Sequence, residues 1–137
     1  VLSQTLHEVA GSLGDADIAA LARAGVRTLI NNRPDGEDRR QLAAAEAGRL
    51  AAAHGVRYHH LPITAASLSR ADVEAFAGIL REATQPVVAH CRSGTRSALL
   101  WALTRLDEGG DPAALIAAAA RHGIDIAALP AIAARLR

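Results

Sequence analysis

Short apolar or β-branched runs alternate along the chain with longer, Ala-rich stretches that have helical periodicity. The runs "RTLIN" (27–31), "VRYHHL" (56–61) and "PVVAH" (86–90) predict three strands, and "LHEVAG" (6–11) is a weaker fourth. Because single helices separate the predicted strands, the pattern indicates βαβ units. We therefore expect an α/β fold with a largely parallel central sheet of about four strands and helices on both faces.

Four of the predicted helices begin at residues suited to cap a helix N-terminus: Asp15, Asp38, Ser69 with Asp72, and Asp111 with Pro112. The first is expected to run to about Ala24 and the second through Ala53. A further helix is expected to begin at about Arg96 or Ser97.

The composition of the 137-residue chain indicates one globular domain, residues 1–137, because half of its residues are hydrophobic. The net charge of +1 comes from 15 basic and 14 acidic residues spread along the chain, so no basic face for nucleic acid is expected. A single cysteine cannot form an internal disulfide, and no apolar run reaches the ~18 residues of a membrane span. We expect a cytoplasmic protein that binds neither nucleic acid nor membrane.

Three polar loops follow the three main predicted strands: "NRPDGED" (32–38), "PITAASLS" (62–69) and "CRSGTR" (91–96). Parallel strands deliver their C-terminal loops to one edge of the sheet, which is where open α/β folds bind ligands. The sequence therefore predicts a functional site where these loops meet.

The loop "CRSGTR" lies between a buried strand and a helix, so its peptide N–H groups and the helix N-terminus can surround an anion. Four residues are expected to form this anion-binding loop: Arg92, Ser93, Gly94 and Thr95. The same groups would lower the pKa of the Cys91 thiol below about 8.5 and make its thiolate a nucleophile at neutral pH.

Two side chains at the end of this loop are predicted to be catalytic with Cys91, and a third at its start is predicted to support them. Arg96 can offer a guanidinium fork to two oxygens of a tetrahedral anion, and Ser97 can donate a hydrogen bond to the Cys91 sulfur. His90 is expected to hold the loop in place rather than to act as a base. A lone cysteine after a strand is usually a buried small side chain, but His, Cys, Gly, Arg and Ser together within eight residues favour catalysis.

The segments "HCRSGTRS", "INNRPDGED" and "YHHLPI" resemble a bacterial phosphatase-like domain family. Its members occur alone or fused to β-lactamase-fold hydrolases and are related to dual-specificity tyrosine phosphatases. The likeness runs from about Ser12 to Leu106. It implies a tyrosine-phosphatase-like fold in which Cys91 is the nucleophile and Arg96 binds the oxygens of the transferring group.

The spacing within the loop differs from that of tyrosine phosphatases, which place five residues between Cys and Arg. Four residues, "RSGT", separate Cys91 from Arg96, and this is the length found in rhodanese sulfurtransferases, whose CRxGxR pattern also fits. Hydrolysis of phosphomonoesters through a phosphocysteine is favoured by the resemblance. Sulfane-sulfur transfer through a Cys91 persulfide is the alternative, and a non-catalytic anion-binding module is a second one.

A phosphatase of this kind also needs a general acid to protonate the leaving oxygen. The family usually supplies an Asp from the loop after "LPI", but "TAASLS" has no carboxylate before Asp72, which is expected to cap a helix. Asp35, Glu37 or Asp38 could act instead, with Asp35 the first choice, although turn and capping roles would also explain these residues. Arg33 is expected either to help bind an anionic substrate or to face solvent.

No metal site or cofactor is expected. His59 and His60 are adjacent in a predicted strand, so their side chains point to opposite faces and cannot bind one metal ion. The expected partner is a small anionic substrate or a phosphoprotein.

Overall fold

The computed structural model describes residues 8–10 and 13–137 of the chain. Four strands lie in this part: β1 (Glu8–Ala10), β2 (Thr28–Asn31), β3 (Arg57–His60) and β4 (Val87–His90). The helices in the same part are α1 (Asp15–Arg23), α2 (Ala44–Ala53), α3 (Arg70–Glu82), α4 (Thr95–Asp107), α5 (Pro112–Ala120) and α6 (Leu129–Arg135). Strands and helices alternate from β1 to α4, and the last two helices follow.

The four strands form one parallel sheet with the order β1-β4-β2-β3. Asn31, the last residue of β2, lies opposite both His60 of β3 and His90 of β4, so these three strands end at the same edge. The predicted α/β fold with a four-stranded parallel sheet is confirmed. Of the weakest predicted strand, residues 8–10 form β1, and residues 6, 7 and 11 lie outside the described residues.

Helices cover both faces of the sheet, as predicted. On one face, Leu29 and Val88 pack in a cluster with apolar side chains of α1 and α2. On the other face, Ile30 and Ala89 pack in a larger cluster with side chains of α3 to α6. Every residue of β2 and β4 is buried because these two strands are central in the sheet and covered on both sides.

The helix that follows the predicted anion-binding loop is anchored in the larger cluster. Leu100, Trp101 and Leu103 of α4 are each at most 2% exposed. Burial of one such side chain contributes about 1.5–3 kcal/mol relative to leaving it in water. The first turn of α4, and with it the end of the loop, is therefore held firmly against the sheet.

Two of the predicted helix caps are confirmed. At the start of α3 the Ser69 N–H donates to Asp72 Oδ2 at 2.9 Å, and the Asp72 N–H donates back to Ser69 Oγ at 3.3 Å. At the start of α5 the Ala114 N–H donates to Asp111 Oδ2 at 3.1 Å. Each cap stabilises its helix by about 1 kcal/mol.

The other two predicted caps are wrong. Gly14, not Asp15, is the cap residue of α1, and its N–H donates to Asp17 Oδ2 at 2.8 Å. Asp38 accepts from the Arg40 N–H at 2.9 Å in a local turn, which satisfies its carboxylate before a helix has begun. Helix α2 therefore begins only at Ala44, six residues after the residue expected to cap it.

The most apolar helices are short. Helix α5, "PAALIAAAA", has nine residues, and α6, which the sequence analysis did not predict, has seven and no capping side chain. Within residues 8–10 and 13–137, no helix combines the length and the apolar character needed to cross a membrane.

Candidate active site

The predicted anion-binding loop lies at the carboxyl edge of the sheet, between the end of β4 at His90 and the start of α4 at Thr95. Gly94 is the cap residue of α4 and has φ +91°, a left-handed conformation that side chains with a Cβ rarely adopt. In this conformation the Gly94 N–H donates to Cys91 Sγ at 3.1 Å. The backbone thus curls around the sulfur, as the sequence pattern predicted.

Cys91 is fully buried at the base of this loop. Burial by itself raises the pKa of the thiol, but hydrogen bonds from the backbone and hydroxyl of Ser97 and from the backbones of Arg96 and Gly94 act against it. Together they lower the pKa of Cys91 below its ordinary value of 9.0. The geometry therefore favours ionisation of this thiol relative to an ordinary buried cysteine.

Ser97 connects the sulfur to the end of β2. Its hydroxyl donates to Asn32 Oδ1 at 2.7 Å, and the Asn32 side-chain amide donates in turn to the Leu61 carbonyl oxygen at 3.0 Å. The Asn32 N–H also donates to the His90 carbonyl oxygen at 2.8 Å. A hydroxyl has one hydrogen, so Asn32 Oδ1 and the Cys91 sulfur compete for it.

Asn32 is a site residue that the sequence analysis missed, although it lies in the loop 32–38 that was expected at this edge. It is completely buried and makes four described hydrogen bonds, because its carbonyl oxygen also accepts from the Ile63 N–H at 3.1 Å. Its position in the sequence could have identified it, because Asn32 is a polar residue directly after a buried strand at the carboxyl edge of the sheet.

Arg96 lies in the first turn of α4 and forms a two-pronged ion pair with a carboxylate from the loop 32–38. Its Nη1 donates to Glu37 Oε2 at 2.8 Å and its Nη2 donates to Glu37 Oε1 at 2.9 Å. A further bond from Nη1 reaches the Ile63 carbonyl oxygen at 2.9 Å. Hydrogen bonding with Glu37, and the charge of the nearby Cys91, raise the pKa of Arg96.

Arg33 contacts the same carboxylate. Its Nε donates to Glu37 Oε1 at 2.9 Å, and its side chain is only 6% exposed. Of the two expected placements, substrate binding or a solvated surface, the second is wrong, because Arg33 is buried beside the site. The hydrogen bonds from Arg96, and those from Arg33, hold the pKa of Glu37 below its ordinary value of 4.5 against the effect of burial.

Asp35 was the first choice as general acid. Its Oδ1 accepts from the Ala44 N–H at 2.8 Å, so this carboxylate caps the first turn of α2. Asp38 is exposed in its own turn. An acid role for Asp35 stays a prediction.

The loop 62–69 contributes no carboxylate to the site, as expected. Thr64 and Ser67 bond to each other in this loop: the Thr64 N–H donates to Ser67 Oγ at 2.9 Å, and the Ser67 N–H donates to Thr64 Oγ1 at 3.0 Å. Asp72, the next carboxylate, is committed to the cap of α3. The loop is therefore closed on itself by its own side chains.

His90 is buried at the end of β4, directly before Cys91. Burial, together with the positive charges of Arg33 and His60, lowers the pKa of His90 to about 4, although hydrogen bonding with the Cys91 backbone acts against the shift. The ring is therefore neutral at pH 7. Its Nδ1 has no hydrogen-bond partner among the described residues.

The remaining predicted loop residues lie at the mouth of the site. Arg92 and Ser93 are exposed, and Thr95 is half-buried. The hydroxyl groups of Ser93 and Thr95 are 3.1 Å apart and share a hydrogen bond. Among the described side chains, no group of three or more His, Cys, Asp or Glu residues is arranged to hold a metal ion.

The family model of the β-lactamase hydrolase-like protein, phosphatase-like domain, matches residues 2–108. The chain belongs to this family. The resemblance seen in the segments around Cys91, Asn32 and Tyr58 is confirmed, and the match extends beyond both ends of the expected range.

A β-lactamase hydrolase-like protein of Agrobacterium fabrum is 36% identical over 101 residues, which are 74% of this chain and 23% of that protein. The phosphatase-like domain thus matches under a quarter of this longer relative.

Solved structures confirm the fold. A phosphatase-like protein from Neisseria meningitidis superposes with a TM-score of 0.88 at 33% identity, covering 100% of this chain and 96% of the other. Tk-PTP in its active form superposes with a TM-score of 0.74 at 15% identity, covering 98% of this chain and 92% of the other. The domain therefore has the tyrosine-phosphatase-like fold that the resemblance implied.

Proposed function

We propose that this phosphatase-like domain hydrolyses phosphomonoesters through a phosphocysteine intermediate on Cys91. The observation that carries the proposal is the buried thiol whose pKa is lowered by N–H groups from Gly94 and the first turn of α4. Such groups stabilise negative charge on the sulfur and also suit the oxygens of a bound phosphoryl group. The proposed substrate is a small anionic phosphomonoester or a phosphoprotein, in the cytoplasm.

In the first step the Cys91 thiolate attacks phosphorus, a sulfur–phosphorus bond forms, and the bond to the ester oxygen breaks. The ester oxygen leaves with the electron pair and takes up a proton from water or from an acidic side chain. In the second step water attacks phosphorus, the thiolate leaves, and inorganic phosphate is released. We expect the Ser97 hydroxyl to donate to the sulfur when the thiolate is regenerated, and its hydrogen bonding with Cys91 supports this role.

A sulfurtransferase is a second candidate, favoured by the six-residue length of the segment from Cys91 to Arg96 and by the absence of a carboxylate from the loop 62–69. In that reaction the thiolate would attack the outer sulfur of thiosulfate, release sulfite and carry the sulfur as a persulfide. A cyanide acceptor would then remove the sulfur as thiocyanate.

One set of assays tests both candidates. Wild-type protein and Cys91→Ser are offered an aryl phosphate, with and without orthovanadate, and separately thiosulfate followed by cyanide. We expect vanadate-sensitive hydrolysis by the wild type and none by the variant, because a serine hydroxyl does not ionise at neutral pH. Unchanged circular dichroism of the variant is the control for folding. Addition of one sulfur to Cys91 by intact mass, without ester hydrolysis, would reject the phosphatase in favour of the sulfurtransferase.

A further inference from the structure

The carboxylate of Glu37 joins two arginines at the active site. Its Oε2 accepts from Arg96 Nη1, and its Oε1 accepts from both Arg96 Nη2 and Arg33 Nε. The Glu37 side chain is 25% exposed, whereas those of Arg33 and Arg96 are 6% and 18% exposed. Glu37 therefore reaches inward from the loop to two largely buried cations.

The contacts of Arg96 use a particular part of its guanidinium. A guanidinium is planar and has five N–H donors in a rigid arrangement. Glu37 accepts from the edge formed by Nη1 and Nη2, and the Ile63 carbonyl accepts from Nη1. The other edge, formed by the Nε–H and the second N–H of Nη2, has two parallel donors that match two oxygens of a phosphoryl group.

Fixing one edge of a planar group also fixes the direction of the other edge. Without the carboxylate, the long Arg96 side chain would keep, among its described contacts, only the Ile63 carbonyl and its hydrogen bond with Cys91. With it, the guanidinium plane is fixed at two nitrogens before any substrate arrives. Arg33 in turn restricts Glu37 by its bond to Oε1.

The same contacts make Glu37 unsuited to be the general acid. An acid must be protonated before it can give a proton to the leaving oxygen. The hydrogen bonds from Arg96 and Arg33 lower the pKa of Glu37, so the carboxylate is ionised at neutral pH.

We propose that Glu37 is a positioning residue, which aligns the guanidinium of Arg96 so that its Nε and Nη2 donors face the transferring phosphoryl group. The inference rests on the proposed phosphatase function. It predicts that Glu37 contributes to binding of a tetrahedral anion and, more strongly, to the transition state, because a misaligned guanidinium loses its two parallel hydrogen bonds to the anion as well as its match to the charge that develops on the oxygens.

Glu37→Gln tests this inference, with Glu46→Gln as the matched control. Glu46 is a surface carboxylate on α2 that also pairs with an arginine, Arg49. For Glu37→Gln we expect kcat for an aryl phosphate to fall about 10- to 100-fold and KM to rise by no more than about 10-fold, with the basic limb of the pH–rate profile retained. Glu46→Gln should leave all of these unchanged.

Binding of tungstate, an unreactive tetrahedral anion, provides a readout that does not depend on turnover. Loss of a negative charge alone would tighten anion binding, whereas loss of alignment weakens it. We expect calorimetry to show about 10-fold weaker tungstate binding by Glu37→Gln than by the wild type. Weaker binding in a protein that hydrolyses no phosphate ester would reject the phosphatase but keep the positioning role.

Three results would overturn the inference. The first is unchanged or tighter tungstate binding by Glu37→Gln. The second is a Glu37→Gln variant that loses only the basic limb of the pH–rate profile, which would make Glu37 the general acid. The third is a wild-type protein that binds no tungstate.

Discussion

Acidification should destabilise this fold through one buried histidine. His90 has a pKa of about 4 in the folded protein, compared with its ordinary value of 6.5. At pH values between these two pKa values, the His90 ring binds a proton in the unfolded chain but not in the folded chain. The free energy of unfolding therefore falls as the pH falls through this window, and His90 adds no further loss below it.

The size of the effect follows from the two pKa values. Each unit of difference corresponds to about 1.4 kcal/mol. Between about pH 7.5 and about pH 4.5 the unfolded ring becomes almost fully charged while the folded ring remains mostly neutral, which gives a loss of about 2.5 kcal/mol. A loss of this size is a large fraction of the ~5–15 kcal/mol that stabilises a typical domain.

Urea unfolding followed by circular dichroism across this pH range measures the loss. His90→Gln removes the titrating ring, so its stability should depend on pH by about 2.5 kcal/mol less than that of the wild type. His54→Gln is the control, because His54 is exposed at the end of α2. If His90→Gln loses as much stability on acidification as the wild type does, the buried ring is not the cause and the reasoning fails.

Two further predictions concern the site and its supports. Ser97→Ala removes one hydrogen bond that lowers the pKa of Cys91, so the midpoint of the pH profile of iodoacetamide alkylation should move to higher pH. Cys91 is the single cysteine, so all of the signal reports on it, and an unmoved midpoint would exclude the hydroxyl as a stabiliser. Asp35→Ala should lower the free energy of unfolding by about 1 kcal/mol because it removes the cap of α2. Asp35→Asn keeps an acceptor and should retain this stability, and a weakened basic limb in its pH–rate profile would identify Asp35 as the acid.

The parts of the fold that sequence could predict are those with short-range causes. The strands follow from runs of β-branched and apolar residues, and the cap of α3 joins Ser69 to Asp72, three residues away. The start of α2 was misplaced because its capping carboxylate, Asp35, lies nine residues before the N–H that it accepts from, on the far side of a turn. Helix α6 was missed because Pro130 in its first turn has no capping side chain before it, and the seven-residue helix depends on packing, with Leu129 fully buried.

The residues of the site that sequence could predict are likewise those whose positions have short-range causes. Cys91 and Arg96 were found from the spacing of one loop, and that loop has the expected backbone shape around the sulfur. The ion pair between Glu37 and Arg96 joins residues 59 apart in the chain, and the hydrogen bond between Asn32 and Ser97 joins residues 65 apart. Sequence reasoning placed their loops at the same edge of the sheet. It could not say which carboxylate or amide would meet which partner, because that depends on side-chain directions set by the assembled sheet.

The anchoring of Asn32 determines which substitutions the site can tolerate. Three of its four described hydrogen bonds are to main-chain groups, the carbonyl oxygens of Leu61 and His90 and the N–H of Ile63, and so do not depend on the side chains at those positions. Replacing the side chain at position 61 therefore leaves the Asn32 anchor intact, provided that the strand keeps its path. Only the Asn32 amide and the Ser97 hydroxyl enter this link as side chains, so the side chain at position 61 can vary while the Ser97 hydroxyl stays held beside the reactive sulfur.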